Sequence, residues 1–197
     1  MKKNDNINSQ LKVLKAHFPF LEEDVLYALL MMGIYFVGNK IPFMLVGSIA
    51  WKALGLPMNR KVKDIDMEII CEDEEVLETL RNICKEQNAN FHEAKEEQIS
   101  HFEHKPYVFH AFGVEFNIWV SKKQFYHQRH LSCGGILIPT VDEIIDIKNK
   151  YHRPKDLDDL FFLSKDILSN ICGKENIDKF ISKINISEIE NIIMEKE

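Results

Sequence analysis

Two segments of this chain carry residue types that do chemistry, at a spacing that lets them act together. Gly47-Ser48 follows the apolar run Pro42-Phe43-Met44-Leu45-Val46, and about one helix later comes Asp64-Ile65-Asp66-Met67-Glu68. Alternate residues of a strand point to the same side, so Asp64 and Asp66 project together and Glu68 lies further along. Two carboxylates held that close repel unless a cation or a proton intervenes. Mg2+ accepts carboxylates together with nucleotide phosphates, which makes the pair a candidate cation site. A third acid from a neighbouring strand would complete a two-metal centre. Glu115-Phe116-Asn117 offers Glu115 or, as a weaker ligand, Asn117. Backbone N–H groups at the helix start after Gly47 suit a phosphate, with the Ser48 hydroxyl as a further donor. Arg60, Lys61 and Lys63, in the polar loop before the acids, can neutralise phosphate charge. A plainer reading stands beside this one: the acids line a solvated strand face and the cations sit in water.

The elements that must position these residues follow from pattern. A short helix over 7–17 ends near His17-Phe18-Pro19. Glu22, Glu23 and Asp24 then open a second helix, where negative charge suits the dipole. Leu26, Leu29, Leu30 and Gly33 recur along it, and Gly38-Asn39 ends it. Ile41 to Val46 reads as a strand of a sheet interior. Gly47 and Ser48 turn the chain into a short helix over 49–54, closed by Gly55 and Pro57. Asp64 to Ile70 has the period of a strand, with its odd-numbered apolar residues toward the core. A helix over about 73–87 turns Val76, Leu77, Leu80, Ile83 and Cys84 inward, and residues 88–105 fit no element. Tyr107–Phe112 and Val114–Val120 form a hairpin around Gly113. The stretch Ser121–Cys133 is ambiguous; its His127, Arg129 and His130 are candidates for acceptor or phosphate contact. A short strand, Ile136–Ile138, precedes a helix over Val141–Tyr151 with Thr140 as N-cap and Glu143 completing a capping box. Pro154 starts another helix, striped by Leu157, Leu160, Phe161, Leu163 and Ile167 and broken by Gly173. Two shorter amphipathic helices, near 175–184 and 187–195, finish the chain. The resulting fold class is α/β: a small mixed β-sheet flanked by helices, with a helical C-terminal part. Residues 1–140 form the α/β core and 141–197 a helical region packed on it.

Composition narrows the function. The 197 residues are 45% hydrophobic and carry a formal net charge of -6. That balance speaks against broad, salt-driven binding to nucleic acid and leaves room for a local basic pocket. Cys71, Cys84, Cys133 and Cys172 form no CxxC pair, as expected of a reduced, cytoplasmic protein. The polar start, Met1 to Asn6, lacks an apolar signal core behind it. Gly33, Gly38, Asn39, Lys40 and Pro42 interrupt the one long apolar stretch, so no membrane span is expected. His92, His101, His104 and His110 fit no compact zinc motif. The aromatic set Phe102, Tyr107, Phe109, Phe112, Phe116 and Trp119 reads as core.

Three segments together resemble the nucleotidyltransferase fold superfamily, which includes antibiotic nucleotidyltransferases and the nucleotidyltransferase toxins of toxin–antitoxin systems. They are Leu45-Val46-Gly47-Ser48, the run from Arg60 to Met67, and Lys148 followed by Arg153-Pro154-Lys155-Asp156-Leu157-Asp158-Asp159-Leu160. The third is similar to a lysine-then-R-x-K-D-x-x-D-L helix junction of small bacterial members. The resemblance spans roughly 41–163. It implies an Mg2+-dependent enzyme that moves a nucleoside monophosphate from an NTP such as ATP to a hydroxyl acceptor, a small molecule or an RNA end. Gly47 and Ser48 would hold phosphates, and Asp64 and Asp66 the metal, with Glu115 or Asn117 in the third position. Arg60, Lys63, Lys148, Arg153 and Lys155 would contact phosphate or acceptor, and an antitoxin protein would be the partner. Val62 stands where the family often has threonine, and an asparagine in the third position would weaken the base. Those departures imply an alternative: a nucleotide-binding or interaction protein of the same fold without transfer. Asp156 and Asp159 have a structural reading as well, pairing with Lys155 or Arg153 to join two helices.

Overall fold

Apolar alternation in β2 decides how the sheet sits. The computed structural model describes residues 2–71, 74–86, 91–93, 106–121, 123–151 and 153–172. Its elements are α1 (Lys2–His17), α2 (Glu23–Gly38), β1 (Phe43–Leu45), α3 (Gly47–Ala53), β2 (Asp64–Ile70), α4 (Glu74–Glu86), β3 (Phe91–Glu93), β4 (Tyr107–Ala111), β5 (Val114–Ser121), β6 (His130–Cys133), β7 (Ile136–Pro139), α5 (Val141–Tyr151) and α6 (Pro154–Cys172). Ile65, Met67 and Ile69 are fully buried. They share one core with Leu26, Leu29, Met32 and Phe36 of α2, Leu80 and Cys84 of α4, and Phe109 and Phe116, whose rings stack at 5.2 Å. Burying each such side chain is worth roughly 1.5–3 kcal/mol. A one-residue slip of β2 would exchange them for the acids, so the core fixes the register.

The sheet is mixed, with order β3-β4-β5-β2-β1-β7-β6. β2 runs parallel to β5 and β1 parallel to β7; the other pairings are antiparallel. Helices flank it and the C-terminal part is helical, as expected from the sequence. The register places Asp64 beside Glu115, Asp66 beside Asn117 and Glu68 beside Trp119.

The acid-bearing face departs from the solvated strand that period two alone suggests. Asp66 is 9% exposed and Glu68 2%. A second apolar cluster, Met44, Val46 and Phe125 with Trp119 and Leu137 against them, seats the β5–β6 connection. α5 packs on α3 and on α6, and residues of that connection, α5 and α6 line one pocket together with Asp66 and Glu68.

The ambiguous stretch after Ser121 yields β6, paired with β7 through Gly134-Gly135. Gly134 has φ +59, and a Cβ there would stand 2.6 Å from the His17 ring, so this hairpin tip admits no side chain against α1. The capping box at α5 does not form. The Thr140 hydroxyl donates to Asp142, and the Glu143 carboxylate instead accepts from the backbone N–H and Nε of Arg129. The expected stripe of α6 is split: Leu160 and Leu163 pack on the core, whereas Leu157, Phe161 and Ile167 are exposed. Phe102, His101, His104 and both short C-terminal helices lie outside the described residues. Among the described residues, no helix is long and apolar enough to cross a membrane.

Candidate functional site

The site begins where β1 ends. Val46 is extended and its N–H donates to the Asp66 carbonyl at 3.0 Å, which ties the end of β1 to the middle of β2. Gly47 then takes φ +60 and opens α3. A Cβ on Gly47 would lie 2.1 Å from Asp66 Oδ2. Glycine is therefore required twice over, by the left-handed backbone and by the approach of the carboxylate. Ser48, the next residue, is buried at 3% exposure.

Asp66 is an uncomfortable acid. Burial, and then the charge of Asp64, push its carboxyl up to about 6, against the pull of Lys155, Arg153 and a hydrogen bond from Asn117. That bond runs from Asn117 Nδ2 to Asp66 Oδ1 at 3.1 Å. The side chain next to Asp66 on β5 is thus an amide. Glu115 lies beside Asp64, half in solvent, with His110 Nε2 3.6 Å from its carboxylate. Arg60, Lys61 and Lys63 border a shallow opening with these two acids. Lys61 is ion-paired to Glu22 at 2.6 Å. Among the described residues, no three His, Cys, Asp or Glu side chains converge closely enough to hold a metal ion. Two carboxylates on one strand face, one of them buried and raised by burial and by the charge of the other, have the donor chemistry that a single hard cation would accept.

Opposite the strand stands a wall of charge from the α5–α6 junction. Lys148 is 4% exposed; its ammonium donates to Asp156 Oδ1 at 2.9 Å and Asp159 Oδ2 at 2.7 Å, and lies 5.0 Å over the Trp51 ring. Arg153 Nε donates to Asp156 Oδ2 at 2.6 Å, and an Arg60 nitrogen to Asp159 Oδ2 at 3.0 Å. Burial alone would raise Asp156, but the Arg153 hydrogen bond and the Lys148 charge outweigh it and hold the carboxyl below its usual range. The two aspartates therefore do join α5 to α6, with Lys148 and Arg153 as partners. Lys148 and Arg153 also line the pocket with Gly47 and Asp66, and the field of Arg153 and Lys155 reaches Asp66. Arg60 and Lys63 lie at the other opening, near Asp64.

One constellation was not assembled from the sequence. Glu68 Oε2 lies 3.0 Å from His127 Nδ1, and the pair is buried at 2% and 8% exposure. Glu68 Oε1 accepts from the Ser121 hydroxyl at 2.9 Å and from the backbone N–H of Tyr126. Burial opposes its charge, yet the hydrogen bonds from His127, Tyr126 and Ser121 hold Glu68 below its ordinary range. Of the three polar residues singled out in this stretch, only His127 reaches the pocket. Arg129 is taken by Asp142 and Glu143, and His130 is exposed with its ring against Phe125. The signal was present as an acid two places beyond Asp66, but nothing local connects it to a histidine 59 residues away.

No family model matches the chain, and no curated protein matches it in sequence. Solved structures give distant likenesses. The chain is similar to the Helicobacter pylori protein JHP933, with 20% identity over 73% of this chain and 67% of that one, at a TM-score of 0.44. It is also similar to an antigenic nucleotidyltransferase-like protein from Paracoccidioides brasiliensis, with 13% identity over 80% of this chain and 86% of that one, at a TM-score of 0.40.

Proposed function

We propose that the chain transfers a nucleoside monophosphate from an NTP to a hydroxyl acceptor, a small molecule or an RNA end. One observation supports this above the others: the left-handed Gly47 turn lies so close to Asp66 that only glycine fits. A phosphate held by the turn would share space with whatever the strand carboxylates hold. In this reading Asp64 and Asp66 hold Mg2+, with Glu115 beside Asp64 as the nearest third acid. Bound there, the ion would supply charge neutralisation on the phosphates. Backbone groups at Gly47 and Ser48 orient the triphosphate. Arg153 and Lys155 face the charge that grows on the leaving pyrophosphate, while Arg60 and Lys63 guard the opening by Asp64. Lys148 serves from behind, because Asp156 and Asp159 engage its ammonium and it holds the wall that carries Arg153. The chain's part in catalysis is then mainly positioning and fixed electrostatics. An antitoxin-type protein partner rests on the sequence resemblance alone.

Labelled NTPs with Mg2+, total RNA and a small-molecule extract test this. The expected result is label on one acceptor class with pyrophosphate release, lost in Asp66→Asn. Equal transfer by Asp66→Asn rejects the site. A second reading has its own observation: Asn117, beside Asp66, cannot accept a proton. It makes the chain a nucleotide-binding protein without transfer, and predicts NTP binding with no pyrophosphate released.

A further inference from the structure

Asn117 leaves the transferase reading without a proton acceptor beside Asp66, and the pocket contains one. We infer that His127, oriented by Glu68, accepts the proton of the acceptor hydroxyl; this rests on the transferase reading and deepens it.

The pocket itself narrows the choice. Its charged lining side chains are Asp66, Glu68, Lys148, Arg153 and Asp156, with His127 among them. Asp66 is committed to the cation, and Asp156 is bound by Lys148 and Arg153. Lys148 and Arg153 are cations. Glu68 accepts from Ser121, Tyr126 and His127, which takes up three of a carboxylate's roughly four acceptor positions. The hydroxyl of Tyr126, whose ring stands edge-on to the imidazole at 5.8 Å, is engaged by Lys150 at 3.0 Å. His127 is the remaining base among these groups. An ionised carboxylate only accepts hydrogen bonds, so the contact with Glu68 puts a proton on Nδ1 and leaves Nε2 bare. This is the carboxylate–imidazole arrangement that fixes a histidine's tautomer and steadies the imidazolium once formed. Glu68 also lies two residues beyond Asp66 on the same strand face, so base and cation site address one pocket.

The step balances. The acceptor oxygen forms a bond to the α-phosphorus as the bond from that phosphorus to the bridging oxygen of pyrophosphate breaks. Pyrophosphate leaves with that electron pair. The hydroxyl proton passes to His127 Nε2, and the imidazolium, paired with Glu68, later returns it to solvent.

Two measurements on the full chain test the assignment. Long-range 15N–1H NMR of histidine-labelled protein at neutral pH is expected to show His127 protonated on Nδ1 and bare on Nε2. The opposite tautomer, or an imidazolium persisting from mildly acid to mildly alkaline pH, overturns it without reference to activity. The second measurement compares His127→Asn with wild type in the labelled-NTP assay. Asparagine places its amide near Nδ1, keeping the bond to Glu68 but supplying no base. The expected result is a fall in kcat of about 100-fold or more with an unchanged KM for NTP. His127→Gln, which keeps the ring's far reach, guards against a folding defect in the first variant. Wild-type kcat in either folded variant overturns the inference while leaving the transferase reading intact. Wild-type protein that labels neither acceptor class and releases no pyrophosphate overturns both.

Discussion

Asp66 carries a stability cost that its position makes unavoidable. Its carboxyl sits at about 6 in the fold, against 3.8 for an unperturbed aspartate. The folded state therefore keeps its proton where the unfolded chain has already lost it. Stability falls as pH rises between those two values, and the full penalty applies above about 6. By linkage the penalty is on the order of 2–3 kcal/mol. Asp66→Asn is expected to raise the thermal midpoint at pH 7.5, with the gain vanishing below about pH 4; unfolding scans across that range check it. Mg2+ is expected to raise the wild-type midpoint at neutral pH and not that of the variant. The single residues were legible because their spacing is local: glycine-serine after an apolar run, acids at period two. Their surroundings were not. Glu68 and His127 meet only because a loop seats Phe125 on Met44 and Val46, and no periodicity in the sequence encodes where a loop lands.

At the scale of elements, the α5–α6 junction is held by buried charge. Lys148 donates to two aspartates that are 0% and 1% exposed. Removing one partner of such a set leaves the others desolvated and uncompensated. Lys148→Met is expected to cost about 3 kcal/mol, the lower end of the usual range for a broken buried pair, because Arg60 and Arg153 remain. Chemical denaturation measures it. Acid acts on the same junction. Asp156 titrates below its unfolded value, so its contribution is complete above about pH 4 and disappears as pH falls through the depressed value. Asp156→Asn removes that part of the acid dependence, which circular dichroism in acid would follow. The sequence showed the junction's residues and left Asp156 and Asp159 to pair with Lys155 or Arg153, and of these pairings Arg153 with Asp156 forms. It did not show Lys148 as the hub, because a lysine on an amphipathic helix normally stays in water. The same reasoning explains α6, whose apolar stripe reads as one face although its described contacts engage only half of it.

At the scale of the whole molecule, the net charge of -6 limits how an RNA acceptor would be held. Apart from the enclosed Lys148, the cations in reach of the two openings are Arg60, Lys61, Lys63, Arg153 and Lys155. On the transferase reading, binding of single-stranded RNA should then weaken with salt along a log–log slope no steeper than about -3.5, measured by fluorescence anisotropy. A steeper slope would require a further basic surface. The fold class was legible through the hairpin and the acidic strand, whereas β3 and β6 lie in stretches that fit no element in the sequence. The sheet's long-range pairings, β2 with β5 and β1 with β7, came from no local signal. One such link has a consequence for synthesis. Arg60 finds its carboxylate on Asp159, 99 residues later, and Lys148 needs Asp156 and Asp159 together. A nascent chain on the ribosome carries the strand aspartates long before these partners emerge. Translation that halts before Asp159 therefore releases both metal-binding candidates with no charged wall opposite them, and on the transferase reading fragments that end there should have no partial activity.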